Sequence, residues 1–448
     1  EDHLFFFAFN LVNDIWNNAD ALADYIDSVR KTTGHKKVNL VNVSLGGTVF
    51  TAYLEKYGHK KLDQVINVVS ATDGSTMFAD LMTHKVNRDE DFLHRNWLPD
   101  MMEHDLKIAP GYNKTIGYAA SLVLRLVPNA LLENIISAAW QAILDTVILN
   151  CSQLWALVPA ARYDEVAAMH LQGEAHAVLR EKTDRYHQAQ LHLRQNILDA
   201  TKDGVYINNI AGSNLTFGEG EYTYFQVCES RTKVNSDGII DTRGATMGAT
   251  AAAPGQTLPA GYKPLAPGYL SPDGAIDCST AVLPNNTWVF LGQPHEVGRN
   301  DAVLALAVEL LRTPGMTVHT NPAQYPQYNH VMNTNELRRW RIAEAQALLK
   351  EGTLSPAEAE ELQAAIDEGL AVRALTVGDA ARAWQATQAL NAQLALYGKY
   401  TPPAPYAWYQ TGLEALTATL SQLAQYFYGV NGYSEGGSFV RLFKALTA

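Results

Sequence analysis

One stretch restricts this chain more than any other: residues 38–53, which read VNLVNVSLGGTVFTAY. The apolar and β-branched run of Val38, Leu40, Val41 and Val43 predicts a strand, and the residues after Gly46 and Gly47 predict a helix. Between them Ser44 stands on a turn with no spare residues. A serine at such a junction sits on a strained elbow, its hydroxyl exposed and a helix N-terminus directed at the reacting centre. The usual elbow pattern is G-x-S-x-G, and here Asn42 replaces its first glycine to give NVSLG. Asparagine at that point of close approach predicts a slightly opened turn. The chemistry such a serine supports is hydrolysis or acyl transfer; the bland alternative is a structural turn that happens to carry serine.

The flanking residues predict a parallel sheet. Residues 5–9, FFFAF, read as a buried strand, and Leu22, Tyr25, Ile26 and Val29 recur at helical spacing behind Asn17, Asn18 and Asp20. Gly34 is a stop signal, and a helix over 48–57 followed by a strand over 64–70 completes a βαβ alternation. Residues 73–200 then read as almost wholly helical, including a polar helix over 165–198 with His170, His176, His187 and His192. Strands resume at 205–210 and 288–291, and a helix is predicted over 301–311. Past residue 313 the composition turns to Ala, Gln, Glu and Leu. Ser355, Pro356 and Glu358 mark a helix start and Gly369 a stop, within three expected helices over 336–397. The expected organisation is an α/β parallel-sheet core over 1–72 and 201–315, a helical cap over 73–200, a helical extension over 316–400, and a stiff TPPAP linker with an aromatic helix over 401–448.

At 448 residues, two or three folding units are expected. The net charge of -12 argues against nucleic acid and against attraction to anionic membranes. No apolar run reaches the roughly 20 residues of a membrane span, because Arg125, Pro128, Glu133 and Asp145 break the richest stretch. Cys151, Cys228 and Cys278 lack the number for a disulfide framework and the spacing of a metal site. Buried free thiols are expected, with a single Cys228–Cys278 disulfide as the alternative. The chain opens at Glu1 without a basic leader or cleavage site, so it reads as a piece of a longer protein.

A serine nucleophile needs a base and a carboxylate that orients the base. Of the 13 histidines, His295, His319 and His330 lie beyond the helical block, and only His295 both follows a strand (WVFLGQPH) and precedes a helix. The acid is sought in VNSDGIIDTRG, residues 234–244. Asp237 is preferred because its DG turn directs the carboxylate out of the loop, whereas Asp241 begins the next segment and is suited to capping it.

The NVSLGG, SDGIIDTRGA and TWVFLGQPHEVGRNDAV segments resemble α/β-hydrolases of the lecithin–cholesterol acyltransferase and bacterial lipase-like group, over residues 5–310. The resemblance implies Ser44 as nucleophile, His295 as general base and then acid, and Asp237 as the group that fixes the imidazole tautomer. It also implies an oxyanion donor in the Leu45 N–H and a cap in the helical insertion, and SQLWALVPAARYDEV at 152–166 resembles a recurring piece of such caps. The chain departs from the group at Phe9, Asn10, Leu11 and Val12, where an aromatic, acidic, aromatic, basic run is usual, and at Asn42 and Val43, where Gly and His are usual. The loop that gives the second oxyanion donor is missing from the chain, a loss worth about a hundred- to a thousand-fold in rate.

The expected function is hydrolysis of carboxylic esters, lipid or other acyl esters among them, without cofactor or metal. Two alternatives stand beside it: acyl transfer by the same mechanism, and a degenerate hydrolase fold kept as a binding or surface-interaction module. A secreted or cell-surface bacterial setting, with peripheral membrane contact, accords with the resemblance. His84, Asp89, Asp91, His94, His104 and Asp105 form a second cluster of metal-ligand types, but no pair shows i, i+4 spacing and a charged cap surface accounts for them equally well.

Overall fold

The computed structural model describes residues 4–86, 97, 113–124, parts of 138–144, 147–372 apart from 220–222, 298–299, 323–324 and 330–331, and parts of 386–398. The expected linker and aromatic helix over 401–448 lie outside the described residues, as do Asp89, Asp91, His94, His104, Asp105 and His330.

Helix α1, Ile15–Thr33, starts ahead of the expected point because Asp14 caps it, accepting a 2.8 Å hydrogen bond from the Trp16 N–H. Gly34 ends it in the left-handed region at φ 75°, donating its N–H to the Arg30 carbonyl. Strand β1, Val38–Val43, leads through the serine turn into α2, Gly46–Tyr57, and then β2, Leu62–Val68. After α3, Thr76–Met82, the chain returns to the sheet through α4, Ala177–Lys202, and β3, Tyr206–Ser213. Strand β4, Thr287–Leu291, α5, Asp301–Arg312, and the short β5, Tyr328–Asn329, complete a five-stranded sheet of order β1-β2-β3-β4-β5. Every pairing in it is parallel. Helices α6, Met332–Glu351, and α7, Pro356–Ala371, follow. A separate antiparallel pair joins Thr250–Ala251 to Ile276–Asp277.

The central strands are covered on both faces, as a parallel sheet requires, whereas on the Ile66 side of the edge strand β1 Val41 and Val43 are exposed. Successive residues of β2 serve opposite sides: Val65 packs with α1, α2 and α4, whereas Ile66 and Val68 pack with α5, Ile210 and Trp288. Each large aliphatic side chain enclosed this way stabilises the fold by roughly 1.5–3 kcal/mol.

The described chain separates into two compact units. One comprises Glu1–Ala79, Cys151–Thr216 and Thr232–Pro402 and contains the whole sheet; the other is built on Asp80–Asn150 and Phe217–Arg231. Within the second, the Ser230 N–H donates to Asp80 at 2.9 Å, and Val86 bridges Cys228 in antiparallel fashion.

Several expectations are corrected. Residues 5–9 form no strand: Phe7 and Phe9 pack partly buried on the core, and the Tyr25 hydroxyl donates to the Phe6 carbonyl at 2.8 Å. An apolar run becomes a strand only where a backbone ladder accepts it, and this one lies against α1 instead. Residues 151–200, expected in the cap, pack with the sheet. Tyr186, Ala189, Leu193, Ile197 and Ala200 of α4 enter the core, and Gln153 donates to Thr48 of α2 at 2.8 Å. The polar helix expected over 165–198 breaks at Gly173, φ 80°, between Tyr163–His170 and α4. Ser355 forms a full capping box with Glu358, but Gly369 does not stop α7; it is buried there, where a Cβ would meet Ile342 and Leu390. Cys151, Cys228 and Cys278 are all free and buried. Among the described residues, no helix is long and apolar enough to cross a membrane, and no group of three His, Cys, Asp or Glu side chains is arranged to hold a metal.

Candidate active site

Ser44 lies at the C-terminal end of β1 with φ 52°, a region that a residue with a Cβ enters only when its surroundings hold it there. Three hydrogen bonds do so. The Ser44 N–H donates to the Val68 carbonyl at 3.1 Å, and its carbonyl accepts from the N–H groups of Gly47 and Ala71, both at 2.9 Å. The turn is thus tied to the end of β2. Gly47 is obligatory: a Cβ there would stand 2.1 Å from Ser70 Oγ and 2.9 Å from the Ala71 nitrogen. At Gly46 a Cβ would stand an ordinary 3.5 Å from the Asn42 Cβ. The turn therefore accommodates Asn42 with room to spare, since even a Cβ at residue 46 would reach it only at ordinary contact distance. Leu45 takes helical angles at the start of α2, and none of the hydrogen bonds among the described residues uses its N–H.

Asp237 is 1 % exposed. Its Oδ1 accepts from the N–H groups of Ile239 and Ile240 at 3.0 and 2.7 Å, which leaves Oδ2 to meet His295 Nδ1 at 2.8 Å. Gly238, at φ 97°, makes this reversal of the chain. The competing carboxylate does something else. Asp241 accepts the Thr76 N–H at 3.0 Å and the Thr76 hydroxyl, so it caps the start of α3.

His295 follows β4, and its other ring nitrogen, Nε2, lies 2.7 Å from Ser44 Oγ. Ser44, His295 and Asp237 therefore form one continuous hydrogen-bonded chain. Burial alone would depress the imidazole pKa, but the Asp237 charge, the hydrogen bond to it and the Glu296 charge outweigh burial, and the net shift is upward. His319 is remote from this chain, near 3.1 Å from both Tyr269 and Asn285.

One residue that the sequence reading passed over is Gly212, near the end of β3. A Cβ there would fall 2.4 Å from the Gln293 carbonyl oxygen and 2.7 Å from the Asp237 Cβ. The loops that carry acid and base both close on this point, and only glycine leaves them room. A glycine near a strand end was the sole signal.

Loss of hydration pushes the Asp241 carboxyl up to about 7; the Thr76 hydrogen bonds pull it down, and the charges of Asp73 and Asp237 add to the rise. Its unfolded value is near 3.8, so the folded state holds the proton more tightly. The stabilising contribution is complete below the unfolded value and is lost as pH rises toward about 7. Asp241→Asn, which cannot ionise, is expected to flatten the fall in stability over that window, measured by urea denaturation at stepped pH. An unchanged slope would count against Asp241 as its source.

Compared with protein-family models, with curated proteins and with solved structures, the chain matches none.

Proposed function

We propose that the chain is a serine esterase of α/β-hydrolase type, acting through an acyl-enzyme on Ser44. The observation that carries this reading is the serine on a strained strand-to-helix turn, joined through His295 to the buried Asp237 at 2.7 and 2.8 Å. In the proposed cycle, His295 Nε2 takes the hydroxyl proton while Ser44 Oγ bonds to the ester carbonyl carbon. The oxygen that becomes negative faces the α2 N-terminus, where the Leu45 N–H can donate to it. The tetrahedral intermediate collapses with cleavage of the C–O bond, and the alcohol leaves with the proton from His295. Water then repeats the sequence on the acyl-enzyme and releases the carboxylic acid. Asp237 keeps the first imidazole proton on Nδ1, so that Nε2 is free to accept the second. In this reading α6 and α7 are an appended extension, and the apolar composition of the helical insertion, residues 113–124 included, supports a greasy acyl chain as the substrate.

The test is a fluorophosphonate probe with peptide mapping: the adduct is expected on Ser44, and a folded sample that takes up no label would refute the proposal. Long-chain p-nitrophenyl esters are expected to turn over faster than the acetyl ester. Equal or better turnover of acetyl would remove the lipid part of the reading and leave a general esterase.

A further inference from the structure

Beneath the candidate site lies a row of polar side chains that the proposed mechanism does not use. Asn42 of β1, Asn67 of β2, Asn209 of β3 and Thr287 of β4 stand in register across four parallel strands. All four are buried. Asn42 Nδ2 donates to Asn67 Oδ1 at 2.5 Å, Asn67 Nδ2 to Asn209 Oδ1 at 2.8 Å, and Asn209 Nδ2 to Thr287 Oγ1 at 3.3 Å. The Thr287 hydroxyl donates in turn to the Leu283 carbonyl at 2.8 Å, and Ser70 Oγ donates to Asn42 Oδ1 at 2.6 Å. Donation thus runs one way along the whole row.

One rung earlier on the same face, Leu40, Val65 and Ile207 are aliphatic and belong to the core. The hydrogen-bonded amide row thus begins only at the level of Asn42, Asn67, Asn209 and Thr287, above an aliphatic rung. Aliphatic side chains would fill that space without the desolvation cost of buried amides, so filling space does not account for them. What an amide row adds is direction: its hydrogen bonds close at one relative height of the strands, whereas an aliphatic row accepts small slides. Three of the four strands lead to a part of the site, and β2 ends at the Val68 carbonyl that holds the Ser44 N–H. Asn42 is two residues ahead of Ser44, Asn209 is three ahead of Gly212, and β4 runs on into the His295 loop.

We propose that Asn42, Asn67, Asn209 and Thr287 are positioning residues that lock the strand ends at one height and so set the contact between Ser44 Oγ and His295 Nε2. This rests on the reading of Ser44 as nucleophile. The test compares Asn67→Leu, which cuts the row at its middle, with Val65→Ala, which loosens the same face one rung below. At a temperature where both are folded, Asn67→Leu is expected to slow fluorophosphonate labelling per folded molecule by about tenfold or more, the scale of a sub-ångström misplacement. Val65→Ala is expected to stay within about twofold of wild type, since it alters packing without touching the row. Labelling of Asn67→Leu at the wild-type rate would overturn the proposal. If Asn67→Leu does not fold, Thr287→Val replaces it, with an expected slowing of about fivefold or more for the loss of both hydrogen bonds of its hydroxyl; an unchanged rate again overturns the proposal. The imidazole Nδ1–H resonance of His295 is read in the same samples and is expected to shift in the row variants alone. If wild-type protein takes no label, the nucleophile reading has failed and this resonance decides by itself: a position unchanged from wild type refutes the positioning role.

Discussion

Ser44→Ala is expected to lower ester hydrolysis by about 10⁶-fold, the scale at which loss of a serine nucleophile is felt elsewhere, while the thermal unfolding midpoint stays close to wild type. The reason lies in how little else the hydroxyl does. Its bond to His295 Nε2 is the only side-chain hydrogen bond of Ser44 among the described residues, and the His295 side chain, 13 % exposed, can take water in its place. The strained backbone at φ 52° is held by main-chain bonds that alanine keeps. His295→Ala should cost about as much, and the double variant little more, because groups that act as a unit do not add. Hydrolysis of a p-nitrophenyl ester, with circular dichroism as the control for folding, measures all three. Wild-type turnover in Ser44→Ala would place the chemistry elsewhere.

Asp237→Asn is the second large effect, about 10⁴-fold in rate, and it carries a signature in pH. The N–H groups of Ile239 and Ile240 both point at Oδ1, so the new amide must place its oxygen there and turn its NH₂ toward His295 Nδ1. That forces the imidazole proton onto Nε2, where it blocks acceptance from Ser44. The charge that raises the imidazole pKa also disappears, leaving burial opposed by Glu296 alone. The sign follows: the midpoint above which His295 is neutral moves to lower pH in the variant. An NMR titration of the imidazole reads this independently of activity, and a midpoint that stays or rises would contradict the arrangement.

Much of the site was legible because it is written in local turn chemistry. NVSLGG gave a strand-to-helix junction, and the DG turn singled out Asp237 over Asp241; the structure places Asp237 on His295 and Asp241 on Thr76. The parallel sheet was legible from alternation alone. What stayed hidden depends on partners far along the chain. Asn42 looked like a flaw in the elbow, because its value lies in Asn67 and Asn209, whose alignment is fixed by strand register. FFFAF has strand composition yet finds no ladder. The stretch that forms α4 reads as a polar helix, and nothing local to it shows that α2 and the sheet cover one of its faces.

The three cysteines make the protein its own reporter of local opening. Cys151 and Cys278 belong to the sheet unit and Cys228 to the other, and burial raises all three thiol pKa values, Cys278 to about 12. Only a thiolate attacks an alkylating reagent, so the native state is nearly inert and each modification records an excursion that exposes one sulfur. Counting alkylated positions over time by mass spectrometry would give opening free energies for the two units separately, in an unmutated chain and without an added dye.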